Sequence, residues 1–194
     1  MRKLIKRRGF KYLFSFIVMT LIIISMAIQP MITNLLGEEI LIKTKAYDPR
    51  DIFRGDYIRL NYEINEIDIS KLDEEILDRI DEDNNYIDIG NESVYVLLSK
   101  RDNYYEVDRV TLTKPQDGIY IEGRYSYPRW RDNGIKEAEI DRNIDGIRVD
   151  YALDKYYVPE NTGKELEEKV QNGEAFAKLK VYKGYVLLKD IVLE

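Results

Sequence analysis

Apolar residues run almost unbroken through one early stretch of the chain and alternate with polar ones over much of the remainder. From Tyr12 to Gly37 there are 26 residues without a charge, centred on LFSFIVMTLIIISMAI at Leu13–Ile28. A helix rises about 1.5 Å per residue, so this run exceeds the ~30 Å hydrocarbon core of a bilayer, for which about 20 residues suffice. Gln29, Pro30, Thr33 and Asn34 make its second half more polar, which sets the predicted span at residues 12–32 and a juxtamembrane segment up to residue 36. Beyond it the period falls to two. Glu39–Ala46 alternates, then Tyr47–Asp51 breaks the pattern. Gly55–Ile64 sets Ile58, Leu60, Tyr62 and Ile64 against Tyr57, Arg59, Asn61 and Glu63, which predicts one half-buried strand.

A helix follows, with Ser70 as cap and Leu72, Ile76 and Ile80 recurring every four residues. Ser93–Lys100, Tyr104–Lys114 and Ile119–Tyr127 read as strands. Asp102-Asn103 and Asp117-Gly118 separate them, the second being a strong hairpin signal. Asn133-Gly134 and Asp145-Gly146 mark turns ahead of a strand at Ile147–Tyr151. Thr162-Gly163-Lys164-Glu165 has capping-box spacing and opens a helix to Gln171. Lys183-Gly184 joins Ala175–Tyr182 to Tyr185–Leu193 in a closing hairpin. The pattern predicts an α+β chain: a single N-terminal transmembrane helix, then a mostly antiparallel β domain with two short helices over residues 37–194.

Composition narrows the chemistry. With no Cys and no His, the chain has no disulfide, thiolate nucleophile, Cys/His zinc site or Ser-His-Asp triad. Residues 1–11 hold Arg2, Lys3, Lys6, Arg7, Arg8 and Lys11 and no acid. The rest therefore carries a net charge of −12, against −6 for the whole chain. A domain that acidic lacks the basic footprint nucleic acid requires. The same asymmetry, with only Lys43 and Lys45 soon after the span, puts the N-terminus in the cytoplasm and the domain outside a cell membrane. A secretory signal peptide is the competing reading, but its apolar region is typically shorter than this run, and Ser25-Met26-Ala27-Ile28-Gln29 holds no clear Ala-x-Ala cleavage site.

Two stretches carry a family resemblance. Tyr47-Asp-Pro-Arg-Asp-Ile-Phe-Arg-Gly-Asp-Tyr-Ile-Arg-Leu-Asn-Tyr62 resembles the hallmark of the GDYxxLxY membrane proteins of bacteria, with Gly55, Asp56, Tyr57, Leu60 and Tyr62 at its named positions. Lys155-Tyr-Tyr-Val-Pro-Glu160, followed by Gly163-Lys-Glu-Leu-Glu167, resembles a second segment of that family, although Asn161-Thr162 stands where Glu-Gly is expected. The resemblance implies a membrane-anchored outer domain and brings no catalytic residue. Physically, Gly55 permits a close approach at the strand start and Asp56 can bond to turn backbone. Leu60 and Tyr62 fall on the apolar face, so these four are read as specifying the fold. Tyr57 and Arg59, on the opposite face, are candidate binding residues.

Trp130 is the third candidate, in Tyr125-Ser-Tyr-Pro-Arg-Trp-Arg131, an aromatic and basic segment expected to be a loop that meets a partner. Asp81–Glu92 matches an EF-hand loop at Asp81, Asp83, Asn85 and Glu92 but has Tyr86 where glycine belongs, so a solvated acidic loop is the better reading. No metal or cofactor is called for. Serine offers little as a nucleophile: Ser70 is explained as a cap, and Ser99 and Lys100 point to opposite faces of a strand. Two function classes follow. The first is a non-enzymatic extracytoplasmic interaction module whose partners are the bilayer, through residues 12–32, and another membrane or envelope protein. Ser15, Thr20, Ser25 and Ala27 would offer small and polar residues for helix pairing. The second is an envelope hydrolase using two of the 36 carboxylates on a wall polymer.

Overall fold

The computed structural model describes residues 2–45, 57–59, 61–81, 86–90, 92–130, 144–153, 155–157 and 175–193. All of the uncharged run but Gly37 lies in one helix, α1 (Arg2–Leu36), and the Phe10–Leu36 portion of that helix is long and apolar enough to cross a membrane. None of residues 10–28 is buried against the rest of the protein. The hydroxyls of Thr20 and Ser25 donate to the carbonyls of Phe16 and Ile22 at 2.9 and 2.7 Å, so the helix satisfies these two polar side chains itself.

Strands follow: β1 (Glu38–Lys45), β2 (Tyr57–Arg59), β3 (Asn61–Tyr62) and β4 (Glu66–Asp68). After a short helix α2 (Glu74–Leu77) come β5 (Ile80–Asp81), β6 (Tyr86–Ile87), β7 (Ser93–Arg101), β8 (Tyr104–Thr111) and β9 (Ile119–Trp130). The chain closes with β10 (Ile144–Asp150), β11 (Lys155–Tyr157), β12 (Ala175–Tyr182) and β13 (Tyr185–Leu193). Two antiparallel sheets, ordered β13-β12-β1-β3 and β4-β10-β9-β7-β8, share one core. The period-two pattern fills it: Ile40 and Ile42 of β1, Leu179 and Val181 of β12, Val94 and Val96 of β7, and Ile147 and Val149 of β10 are all buried. A parallel bridge from Ile121 to Gly184, with the Glu122 N–H donating to the Gly184 carbonyl at 2.9 Å, joins the sheets at one end. Lys183 and Gly184 both take positive φ, 50° and 89°, in the two-residue turn between β12 and β13, and a Cβ on Gly184 would press on the Tyr120 ring.

Several local readings change. The Gly55–Ile64 strand divides, because β2 pairs with β11 while β3 pairs with β1, and Ile64 turns inward on a 3-10 helix at Glu63–Asn65. The helix expected from Ser70 starts only after Asp73. Leu72 bridges Val110, and the Asp73 N–H donates to the Val110 carbonyl at 3.0 Å, which holds that backbone to β8 and leaves Ser70 in a 3-10 turn. Ile80 passes to β5. Asp117-Gly118 does not close a hairpin between its flanking strands, since β8 and β9 pair with opposite edges of β7. Gly118 still adopts φ 88° in the loop that crosses over. Asp145-Gly146 lies inside β10 at a bulge, where a Cβ on Gly146 would collide with the Ile67 carbonyl. The expected loop at 125–130 is strand: β7 stops pairing at Arg124, so Pro128 faces no β7 partner that would need its missing N–H. The helix at 162–171 and the turn at 133–134 lie outside the described residues.

The end of α1 packs on the β12–β13 hairpin. Thr33 is fully buried, and the Gly37 N–H donates to the Thr33 carbonyl at 2.9 Å. A Cβ on Gly37 would collide with that carbonyl and sit 3.2 Å from the Val181 oxygen, so glycine sets how closely strand and helix end approach. Lys180 Nζ donates to the Asn34 backbone oxygen at 2.7 Å and Lys189 Nζ to Asn34 Oδ1 at 2.8 Å. Cations at a helix C-terminus also oppose its negative dipole end. Thr33 and Asn34, two of the polar residues that dilute the apolar run, thus make the contact with the domain.

Candidate functional site

The two motif stretches, about a hundred residues apart in sequence, meet as a two-stranded antiparallel ribbon. Tyr57 is in register with Tyr157, Ile58 with Tyr156 and Arg59 with Lys155. Gly55, Asp56 and Leu60 lie outside the described residues, as do residues 158–167 of the second stretch.

Beneath the ribbon, the end of the first motif is locked into the core. Tyr62 is 1% exposed and donates its hydroxyl proton to the Leu153 carbonyl at 2.8 Å. Its own N–H donates to Asn65 Oδ1 at 2.7 Å, and Asn65 Nδ2 donates to the Val149 carbonyl at 2.8 Å. Tyr151 returns the link, its hydroxyl donating to the Ile64 carbonyl at 2.7 Å. Residues 62–65 and 149–153 are therefore stitched by buried side-chain-to-backbone bonds, each satisfying a group that would be costly to bury alone. Burial, and secondarily the nearby Asp150 charge, pushes the Tyr151 phenol well above its ordinary pKa.

Beside this stitch a charged face spans five strands, β1, β3, β4, β9 and β10. Arg129 Nε donates to Asp145 Oδ1 at 2.9 Å, and the same guanidinium pairs with Asp68 and lies 3.9 Å from Glu66. Burial acts to lower the Arg129 pKa, but hydrogen bonds to Asp145 and Asp68 outweigh it and hold the pKa above its ordinary value. Arg148 donates to Asn61 Oδ1 at 3.1 Å and to Asp150 at 3.3 Å, lies 3.7 Å from Glu66, and sits 5.9 Å over the Tyr127 ring. Lys45 pairs with Glu66 from β1. The guanidiniums are thus fixed before any partner arrives, which lowers the ordering cost of binding. Tyr127 and Trp130, 48% and 44% exposed, offer aromatic surface on β9.

The described backbone places Tyr57 and Arg59 on one strand and Trp130 on another, and the side chains of Tyr57 and Arg59 lie outside the described set. The first two are on the ribbon and Trp130 ends β9, in register with Ile144. Sequence reading missed Arg129, Arg148, Glu66 and Asp145. The available signal was polar residues two apart on strands, at Glu66/Asp68, Tyr127/Arg129 and Arg148/Asp150, which share a face by the pleat. In the acidic Asp81–Glu92 stretch, residues 82–85 and 91 lie outside the described set, and Glu92 accepts from Arg79 at 3.0 Å.

A family model described as GDYXXLXY protein matches residues 19–191. No curated protein and no solved structure matches the chain.

Proposed function

The chain belongs to the GDYXXLXY protein family, and from that membership and the docked helix we propose that it is a membrane-anchored, extracytoplasmic interaction module that works by binding rather than by chemistry. The observation that carries this reading is the clasp on Asn34 by Lys180 and Lys189. A domain tethered by a loose linker would sample all orientations, whereas this one is held against the helix that anchors it. The ordered face around Arg129 and Arg148, with Tyr127 and Trp130, then meets neighbours in the envelope at a set height and angle. Tyr, Trp and Arg are the residues that dominate protein interfaces. Positive residues before the helix support a cytoplasmic N-terminus and an outer domain in a cell membrane.

Crosslinking in native membranes followed by mass spectrometry tests the proposal. A specific membrane or envelope partner is expected, lost on Trp130→Ala or Arg59→Ala while the protein stays folded. Cleavage of a wall polymer by the purified chain, abolished by a single carboxylate substitution, would overturn it in favour of a hydrolase.

A further inference from the structure

A cleft of about 780 Å³ opens beside the first half of β13, and Gln29 of α1 forms part of its wall. Gln29 lies inside the predicted span, roughly 10 Å down the helix axis from Leu36, and the exposed apolar side chains of Ile28, Met31 and Ile32 flank it. The cleft therefore reaches a level at which the helix surface is apolar. Its ionic lining is Lys114, Arg124, Lys183, Glu122 and Asp150. Both acids already have partners: Ser93 Oγ, on the cleft wall, donates to Glu122 at 2.7 Å, and Arg148 Nε, outside the cleft, donates to Asp150 at 3.3 Å. Lys183 lies 5.6 Å over the Tyr182 ring. Lys114 and Arg124 are exposed, and their side chains form no hydrogen bond or ion pair among the described residues.

We propose that this cleft binds the phosphodiester headgroup of an anionic phospholipid from the leaflet in which α1 ends, with Arg124 and Lys114 as the phosphate ligands. The inference rests on α1 being a membrane span. A guanidinium offers paired donors to phosphate oxygens, an ammonium adds a point charge, and the Gln29 carboxamide can donate to ester or hydroxyl oxygens. A ligand that touches Gln29 lies against the apolar helix, where acyl chains run and a hydrophilic peptide would lose its solvation. Leu187 and Leu188 line the same cleft and suit the glycerol and upper acyl carbons.

The full chain, reconstituted in phosphatidylcholine nanodiscs doped with phosphatidylglycerol, is released by mild detergent and its retained lipid is read by native mass spectrometry. The wild type is expected to retain phosphatidylglycerol preferentially. Arg124→Ala with Lys114→Ala should lower that preference by roughly fivefold per cation removed. Arg124→Lys should keep most of it, and Lys71→Ala with Lys100→Ala should leave it unchanged. Thermal unfolding of each variant separates lost binding from lost folding. Equal retention by wild type and a folded double variant, or equal competition by free glycerol phosphate, would overturn the lipid site alone. A chain that carbonate washes off membranes would overturn the anchor reading and this inference with it.

Discussion

Tyr62 and Leu153 are joined by a hydroxyl-to-carbonyl hydrogen bond of 2.8 Å, which ties the last residue of the GDYxxLxY motif to the segment that leads into β11. The bond explains why a tyrosine, and not a phenylalanine, suits that position. The ring fills the core while the hydroxyl satisfies a carbonyl that water does not reach. Tyr62→Phe is expected to cost about 1–2 kcal/mol by leaving that carbonyl unpaired. Asn65→Ala removes two such bonds and should cost roughly 2–4 kcal/mol. Denaturant unfolding of the detergent-solubilised chain measures both, and a neutral Asn65→Ala would contradict the stitch.

Tyr151 makes stability depend on alkaline pH. Its folded pKa lies well above the unfolded value because burial disfavours the phenolate, so the contribution is complete below about pH 10 and is lost as pH rises beyond it. Tyr151→Phe should make the alkaline decline shallower while lowering stability at neutral pH by about 1–2 kcal/mol, since the Ile64 carbonyl loses its donor. The decline should not vanish, because burial also raises Tyr105, Tyr120 and Tyr125. Urea titrations between neutral pH and the alkaline range give the comparison.

Two buried threonines should respond in opposite ways to the same change. Thr44 Oγ1 donates to the Ala175 carbonyl at 2.6 Å, so Thr44→Val is expected to destabilise by about 1–2 kcal/mol. Thr33 Oγ1 is buried without a hydrogen-bond partner among the described residues, so Thr33→Val should be neutral or stabilising. Thermal unfolding of the two variants side by side settles the sign.

Gly146→Ala would drive a Cβ into the Ile67 carbonyl where β10 runs against β4. A loss of about 1–3 kcal/mol is expected. Because the flanking Asp145 and Asp68 both hold Arg129, the charged face should loosen as well. Faster amide exchange in residues 66–68 and 144–148 is the readout.

Much of this architecture was written in local patterns. Val94, Val96 and Leu98, or Ala175, Ala177, Leu179 and Val181, alternate strictly enough to declare strands and their buried face, and Lys183-Gly184 declares its turn. Pairing partners were less legible, because alternation says which face is buried but not which strand lies alongside. Asp117-Gly118 carries hairpin chemistry, yet β7 separates its two neighbours. Asp145-Gly146 has the same chemistry and serves a close backbone approach inside a strand. The motif ribbon was visible only as two separate stretches, since nothing local in Tyr57–Arg59 specifies Lys155–Tyr157 as its partner. The clustering of Arg129 with Asp68, Glu66 and Asp145 depends on sheet order, which a single strand's sequence does not encode.

The proposed interaction module requires the domain to lie outside a membrane, on a helix whose N-terminus is inside. The chain contains no cysteine, so single cysteines can be introduced without background. Lys100→Cys, exposed near the end of β7, and Lys3→Cys, within the first turn of α1, are labelled with a membrane-impermeant maleimide in intact spheroplasts and again after permeabilisation. The account predicts immediate labelling at position 100 and labelling at position 3 only after permeabilisation; the reverse pattern would contradict it.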